Sequence, residues 1–318
     1  MKKILILIFT VNLINIIFPV LYIVKYGMYT GKTTEDDKFI NVYVKKTDNV
    51  IQMPTGQYLK EVVAAEMPAA FEPDALRAQA VAARSYLYAR SNTYKKNGYP
   101  PEHKGADICT DPSHCKAYIP EDERKASWGD DADKYWKKIE NAVISTEGEM
   151  VSYNGEVISC VFHSTSSGRT ESSEDVWGGT RPYLISVESP GEELSPGYKS
   201  QLIVSKADFI NIAKENIEGV CFDDELTGEI MRSEAGGIKS IVIGKVPIKG
   251  TVFRSIFNLK STNVILTQTS DTVQFDVTGY GHGVGMSQYG ANAMAKNGAD
   301  YKEILTHYYT GTDIIKIN

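Results

Sequence analysis

The sequence predicts an α+β fold: mixed and antiparallel sheets with helices in a two-lobed, cleft-containing globular region, set behind one N-terminal transmembrane helix. Three observations predict it. Strand-like and helix-like segments come in blocks rather than in alternation, which argues against a doubly wound parallel sheet. Asn154-Gly155 lies between two apolar runs and is a strong signal for a type I′ hairpin, hence for antiparallel pairing. Residues 4–24 are almost unbroken Ile, Leu, Phe and Val, and about 20 apolar residues suffice to cross a bilayer as a helix.

The elements follow in order. Lys2 and Lys3 before the apolar run favour the cytoplasmic side for the N-terminus. Residues 20–26 are too bulky for a small-x-small cleavage site, so residues 1–27 read as a cytoplasmic stub and an uncleaved signal anchor. Residues 28–38 form a linker, and 39–318 an extracytoplasmic region that can bury a large core as one domain or two lobes. Alternation predicts a strand at 39–44 and a short second one at 50–54. Thr55 is expected to cap a helix over 57–67, which Pro68 ends, leaving Glu66 near its C-terminus. A second helix follows over 74–96, with a small-residue stripe of Ala78, Ala82 and Ala83 suited to close packing. Asn97-Gly98-Tyr99-Pro100-Pro101 then opens an irregular segment. A helix is expected over 132–145, strands over 150–153 and 157–163, a Ser/Thr/Gly-rich stretch, and a strand over 183–188. Residues 206–216 read as helix, 236–278 as β-rich, and 279–290 as a glycine-rich segment leading into two short helices that end near Tyr309.

Net charge is −6 with acids and bases well mixed, so no electrostatic footprint for nucleic acid exists. Four cysteines are too few for a disulfide-stapled scaffold.

Chemistry concentrates in four places. Glu66 sits among Val62, Val63, Ala64, Ala65 and Met67, and apolar surroundings disfavour an ionised carboxyl, the condition a general acid needs. Gly281-His282-Gly283-Val284-Gly285-Met286-Ser287-Gln288 frees the backbone for close approach to a ligand and places Ser287, Gln288 and Tyr289 where a helix begins. It is not a phosphate loop, lacking the lysine and the βαβ setting. Phe162-His163-Ser164-Thr165-Ser166-Ser167-Gly168-Arg169-Thr170-Glu171, ending in Val176-Trp177-Gly178, sets hydroxyls beside aromatic rings as a sugar-binding lining would. His163 and Ser164 are strand neighbours that point to opposite faces, so a serine hydrolase ranks low. Finally, His103, Cys109, His114 and Cys115 offer two imidazoles and two thiolates, a closed tetrahedral set for structural Zn²⁺. A Cys109–Cys115 disulfide competes, but it leaves both histidines without a role. Cys160 and Cys221 read as buried free thiols, and His307 as a packing residue. Trp128 and Trp136 read as core anchors, and Arg84 as a residue that holds Glu66 or binds substrate.

Residues 63–68 with 76–86, residues 163–170 with 176–178, and residues 281–291 together resemble the stage II sporulation protein D family, whose domain is shared with amidase-enhancer proteins. The motifs occur in the family's order across nearly the whole extracytoplasmic region. The resemblance implies a membrane-anchored lytic transglycosylase that cuts the MurNAc–GlcNAc bond of peptidoglycan glycan strands during engulfment of the forespore, on strands freed of stem peptides by a partner amidase/endopeptidase. A membrane scaffold protein completes the implied machinery, at the septal and engulfing membrane. Glu66 falls on the family's catalytic glutamate. The implied cleft lining comprises Arg84, Ser85, His163, Ser164, Ser166, Ser167, Gly168, Tyr280, His282, Gly283, Ser287, Gln288 and Tyr289. Zinc is carried by some members in the 103–115 region, and the chemistry itself requires no cofactor. One carboxylate suffices if the MurNAc C6 hydroxyl is the nucleophile. Glu171, Glu174 and Asp175 are the candidates for a second carboxylate if the reaction is hydrolysis. Two other readings are a non-catalytic binding enhancer of a cell-wall amidase and a structural anchor for that amidase.

Overall fold

The computed structural model describes residues 34, 35, 38–223 and 225–317. The expected anchor at 1–27 and most of the linker lie outside them, and among the described residues no helix is long and apolar enough to cross a membrane.

Strands β1 (Phe39–Val44) and β2 (Asn49–Pro54) form an antiparallel hairpin. The hydroxyl of Thr55 donates to the carbonyl of Lys38 and does not cap the next helix, whose cap position is Pro54. That helix, α1 (Thr55–Glu66), stops because Pro68 holds Met67 extended, at φ −116° and ψ 142°. Helix α2 (Pro73–Asn97) begins with proline in its first turn, where no backbone donor is lost. Its alanines Ala75, Ala78, Ala80, Ala82 and Ala83 are buried, and the small side chains let neighbours close on it from several sides. The next strand, β3 (Ile108–Cys109), pairs in parallel with β1. Within the segment expected to be irregular, a further helix, α3 (Glu121–Trp128), precedes the expected α4 (Ala132–Ser145). In this helical layer α2 packs on α1 and α4.

The hairpin of β4 (Glu149–Tyr153) and β5 (Glu156–Val157) turns at Asn154 and Gly155, both with positive φ, as expected. The expected strand over 157–163 is broken: β6 is only Phe162–His163. Helix α5 (Ser173–Trp177) is capped by Ser172. Residues 183–188 form no strand and contribute only a bridge between Arg169 and Glu188.

Strand β7 (Lys199–Ser205) and helix α6 (Lys206–Asn216) open a second unit, with β8 (Thr227–Arg232), β9 (Ile238–Ile243) and β10 (Val246–Lys249) as one antiparallel sheet. Helix α7 (Gly250–Ile256) interrupts the stretch read as purely β, and β11 (Val264–Gln268) and β12 (Thr272–Thr278) complete a sheet in the order β11-β12-β7. The chain then returns to the first unit through β13 (Met286–Ser287), α8 (Gln288–Lys296), α9 (Tyr301–Tyr308) and β14 (Asp313–Lys316), the last pairing with β4.

Two hydrophobic cores result. One runs from Val42 to Leu184 and resumes from Val284 to Tyr309. The other, centred on Phe209, Phe253, Phe257 and Phe275, draws on residues 202–277 and is therefore an insertion in the first.

Candidate active site

The end of α1 delivers Glu66 half-buried at the surface of the first core. Its Oε1 accepts the backbone N–H of Ala117 at 2.8 Å, and its Oε2 accepts Nε2 of Gln288 at 3.4 Å. The surroundings are therefore not the purely apolar ones expected from the local sequence. Gln288 is the first residue of α8, and Ser287 before it caps that helix by accepting the N–H of Gly290 at 3.2 Å. The same Gln288 nitrogen lies 3.5 Å from Oε1 of Gln79, a fully buried side chain on α2. A chain Gln79–Gln288–Glu66 thus joins three elements distant in sequence.

The glycine-rich turn reaches this place because β13 pairs in parallel with β6, setting Ser287 opposite His163. Glycine is obligatory here: a Cβ on Gly281, at φ +119°, would lie 2.7 Å from Cβ of His163, and one on Gly285 would lie 2.2 Å from the Val161 carbonyl. The N–H of Tyr289 donates to the Ser164 carbonyl at 3.1 Å. The rings of His163, His282 and Trp177 form a row, with centroids 5.7 Å and 5.3 Å apart, and Trp177 is 46% exposed at its open end. Burial pulls His163 down to about 4, and burial with His163 and Lys116 nearby pulls His282 well below its ordinary value. Both rings are neutral at neutral pH. Nδ1 of His163 faces the Val284 carbonyl at 3.2 Å, which makes Nδ1 the protonated nitrogen, and the buried Nε2 has no hydrogen-bond partner among the described residues.

Lys116, which sequence reasoning missed, is 8% exposed. Its Nζ lies 3.6 Å from the Phe162 ring centroid and 4.3 Å from that of Tyr86. Burial pulls its ammonium down to about 8, against the opposing pull of the Glu66 charge. A lysine between Cys115 and Ala117 in an irregular segment carries no sequence signal of burial.

Several expected lining residues have other work. Arg84 is 1% exposed, and its guanidinium is clamped on Glu35, with further bonds to the carbonyls of Val143 at 3.1 Å and Glu149 at 3.3 Å. The Ser85 hydroxyl donates to Val81 O and accepts from Val151 N–H. Both therefore belong to the core behind the site, because they occupy the face of α2 that packs on α4 and β4. Ser166 donates to Glu192 at 2.8 Å, and burial pushes that carboxyl up. Ser167 donates to the Ala235 carbonyl, tying the hydroxyl-rich loop to the inserted unit, and Gly168 turns the loop at φ +104°. Tyr280 stands at the rim, 47% exposed, with Lys260 over its ring. Gly283 closes on Glu171: a Cβ there would lie 2.7 Å from Glu171 Cγ. Glu171 accepts the N–H of Gly237, Glu174 accepts from the Thr180 hydroxyl, and Asp175 is paired with Lys239. No member of this acidic trio shares a hydrogen bond with Glu66.

The second cluster holds together as expected from its residue types. The ligand atoms of His103, Cys109, His114 and Cys115 all lie within 4.8 Å of one another. Nε2 of His103 is 3.1 Å from Nδ1 of His114 and 3.2 Å from Sγ of Cys115, and Cys109 Sγ is 3.5 Å from the same His114 nitrogen. A tetrahedral ion with bonds of about 2.0–2.3 Å needs donors roughly 3.3–3.8 Å apart, a spacing close to these three contacts, and two imidazoles with two thiolates are a donor set that suits zinc. Nδ1 of His103 is 3.2 Å from the Ala106 carbonyl, which fixes the tautomer that leaves Nε2 free to ligate. The two thiols are free rather than bridged. Cys160 is buried as expected, but Cys221 is exposed, because it lies in the loop between α6 and β8.

Residues 43–153 match the sequence profile of the family described as Stage II sporulation protein. The chain is 37% identical over 275 residues to stage II sporulation protein D of Bacillus subtilis, covering 86% of this chain and 78% of that protein. It is 35% identical over 276 residues to the protein of the same name from Bacillus amyloliquefaciens, with the same coverage. An amidase enhancer of Bacillus subtilis is 27% identical over 310 residues, spanning 80% of this chain and 40% of that protein. On the extent of these matches, the chain belongs to the stage II sporulation protein D family.

Proposed function

We propose that this protein is a sporulation lytic transglycosylase acting on peptidoglycan glycan strands, with Glu66 as its acid. The observation that carries the reading is the placement of Glu66: a half-buried carboxyl held by Ala117 N–H and Gln288, beside a hydroxyl-rich loop and an aromatic row that ends in exposed Trp177. Glu66 donates its proton to the glycosidic oxygen as the C1–O4 bond breaks and positive charge develops at MurNAc C1. Its carboxylate then takes the proton of the C6 hydroxyl while O6 bonds to C1, closing a 1,6-anhydro ring. The glutamate ends protonated, no water enters, and one carboxylate serves both steps. Glu66→Gln is expected to lower glycan cleavage by about 10²–10⁴-fold. A Glu66→Gln protein with wild-type cleavage would remove the basis of the reading.

The His103, Cys109, His114 and Cys115 set holds a structural zinc in this reading, supported by its donor spacing. The ion cross-links the irregular segment, while Glu66 and its neighbours carry the chemistry. The apolar run at residues 4–24 anchors the protein, with the described region outside the cytoplasm. A peptide-removing amidase/endopeptidase and a membrane scaffold are the expected partners.

The likeness to an amidase enhancer favours one second reading, in which the cleft binds glycan and stimulates a partner amidase. That reading expects Glu66→Gln to leave function intact.

A further inference from the structure

Next to the residue that bonds Glu66 lies a buried cation that the acid–base chemistry does not use. The Lys116 ammonium is packed against the rings of Phe162 and Tyr86, and among the described residues it has no hydrogen-bond acceptor. An ammonium in such a place has lost most of its hydration, and ring faces replace only part of it. The chain holds it there from two sides. The residue after it, Ala117, donates its N–H to Glu66 at 2.8 Å. The residue it covers, Phe162, adjoins His163 in the strand that pairs with Ser287. Lys116 is therefore tied through its neighbour Ala117 to the proposed acid, and through the Phe162 ring to the strand that pairs with the glycine-rich turn.

The assignment that follows rests on the glycan reading above. A glycan strand freed of stem peptides carries one kind of charge: the lactyl carboxylate on C3 of each muramic acid residue. While the peptide is attached, that carbon is an amide and has no charge. A buried cation beside the acid that cleaves the muramic acid glycosidic bond is placed to distinguish the two. We propose that Lys116 is a specificity-determining residue that binds the free lactyl carboxylate of MurNAc, so that the site accepts strands with the stem peptide removed. No bond to Lys116 forms or breaks. Its role is one ion pair in a dehydrated setting, where removing one partner has a large effect.

The test compares strands bearing free lactyl carboxylates with the same strands carboxamidated by ammonia coupling, which removes the charge without adding bulk. On the full-length wild-type protein, kcat/KM is expected to fall about tenfold or more upon amidation. Lys116→Met, of similar length and able to pack on both rings, is expected to lose that much on the free acid and to cleave both strands alike. A general electrostatic effect on Glu66 would lower both rates together and leave the ratio unchanged. Lys116→Met that retains the wild-type ratio therefore overturns the assignment. Lys116→Gln is measured beside it, with thermal unfolding of each, so that one misfolded variant does not decide the matter. Glu66→Gln provides a readout independent of turnover, by calorimetric binding of the two strands with and without Lys116→Met. Discrimination in binding without any cleavage by the wild type would retain the carboxylate site and discard the transglycosylase. Equal binding of both strands discards the carboxylate site.

Discussion

Gln288 is the side chain through which the glycine-rich turn reaches Glu66, and its replacement belongs in kcat rather than in folding. Gln288→Ala removes a hydrogen bond to a carboxylate, and the expected loss is roughly 10–100-fold in kcat with little change in unfolding temperature. An unchanged kcat would place Gln288 outside the reaction. His163 makes a different prediction. Its folded value of about 4 lies below the ordinary 6.5, so the stability it contributes is complete above about 6.5 and drains away as pH falls toward 4. Thermal unfolding across this window is expected to decline more steeply for the wild type than for His163→Gln, and parallel curves would contradict the assignment of a buried neutral ring. At this scale the sequence was an uneven guide. Glu66 was legible because an acid among Val, Ala and Met residues stands out. Arg84 was misleading, since helix periodicity does not say which neighbour covers a face, and the neighbour is Glu35. Lys116 was invisible, because its burial depends on Phe162 and Tyr86 arriving from elsewhere.

Among the elements, those with a local cause were read correctly. Asn154-Gly155 forces its hairpin, and α4 and α6 stand where the sequence put them. Those whose cause is tertiary were not: 183–188 makes only an isolated bridge rather than a strand, and α7 forms among residues rich in β-formers. Segment 101–120 contains only one short turn and the two-residue β3 as regular structure, and the four-residue cluster is its main side-chain cross-link, so its order is expected to depend on metal. Metal analysis is expected to find one zinc per chain, and chelation is expected to lower the unfolding temperature, since an ion that binds only the folded state stabilises it by mass action. No zinc with Cys109 and Cys115 oxidised would mean a disulfide instead. The glycine-rich turn permits a sharper experiment. Gly281→Ala drives a methyl group to within 2.7 Å of His163 Cβ at φ +119°, a strain of roughly 1–3 kcal/mol. Lower stability and lower activity are expected together, and a neutral outcome would show the turn to be more pliant than its packing implies.

On the scale of the whole molecule, the inserted unit has its own core, with Phe275 stacked among Phe209, Phe253 and Phe257 at 5.1–6.3 Å. Phe275→Ala is expected to destabilise that unit by about 3–5 kcal/mol while the metal set and Glu66 environment persist. Simultaneous disruption of the His103, Cys109, His114 and Cys115 set would indicate that the two cores unfold as one. The α+β class was legible from the blocks of strand and helix, but the insertion was not, because nothing local at residue 199 or 278 says that the chain leaves one core and returns to it. The most direct measurement is mass spectrometry of the products formed by the full chain, and by Glu66→Gln, from glycan strands free of stem peptides. Products ending in 1,6-anhydroMurNAc from the wild type, absent with Glu66→Gln, are expected. Reducing ends formed by addition of water, or anhydro products that persist in the variant, would contradict a one-carboxylate transglycosylase built on Glu66.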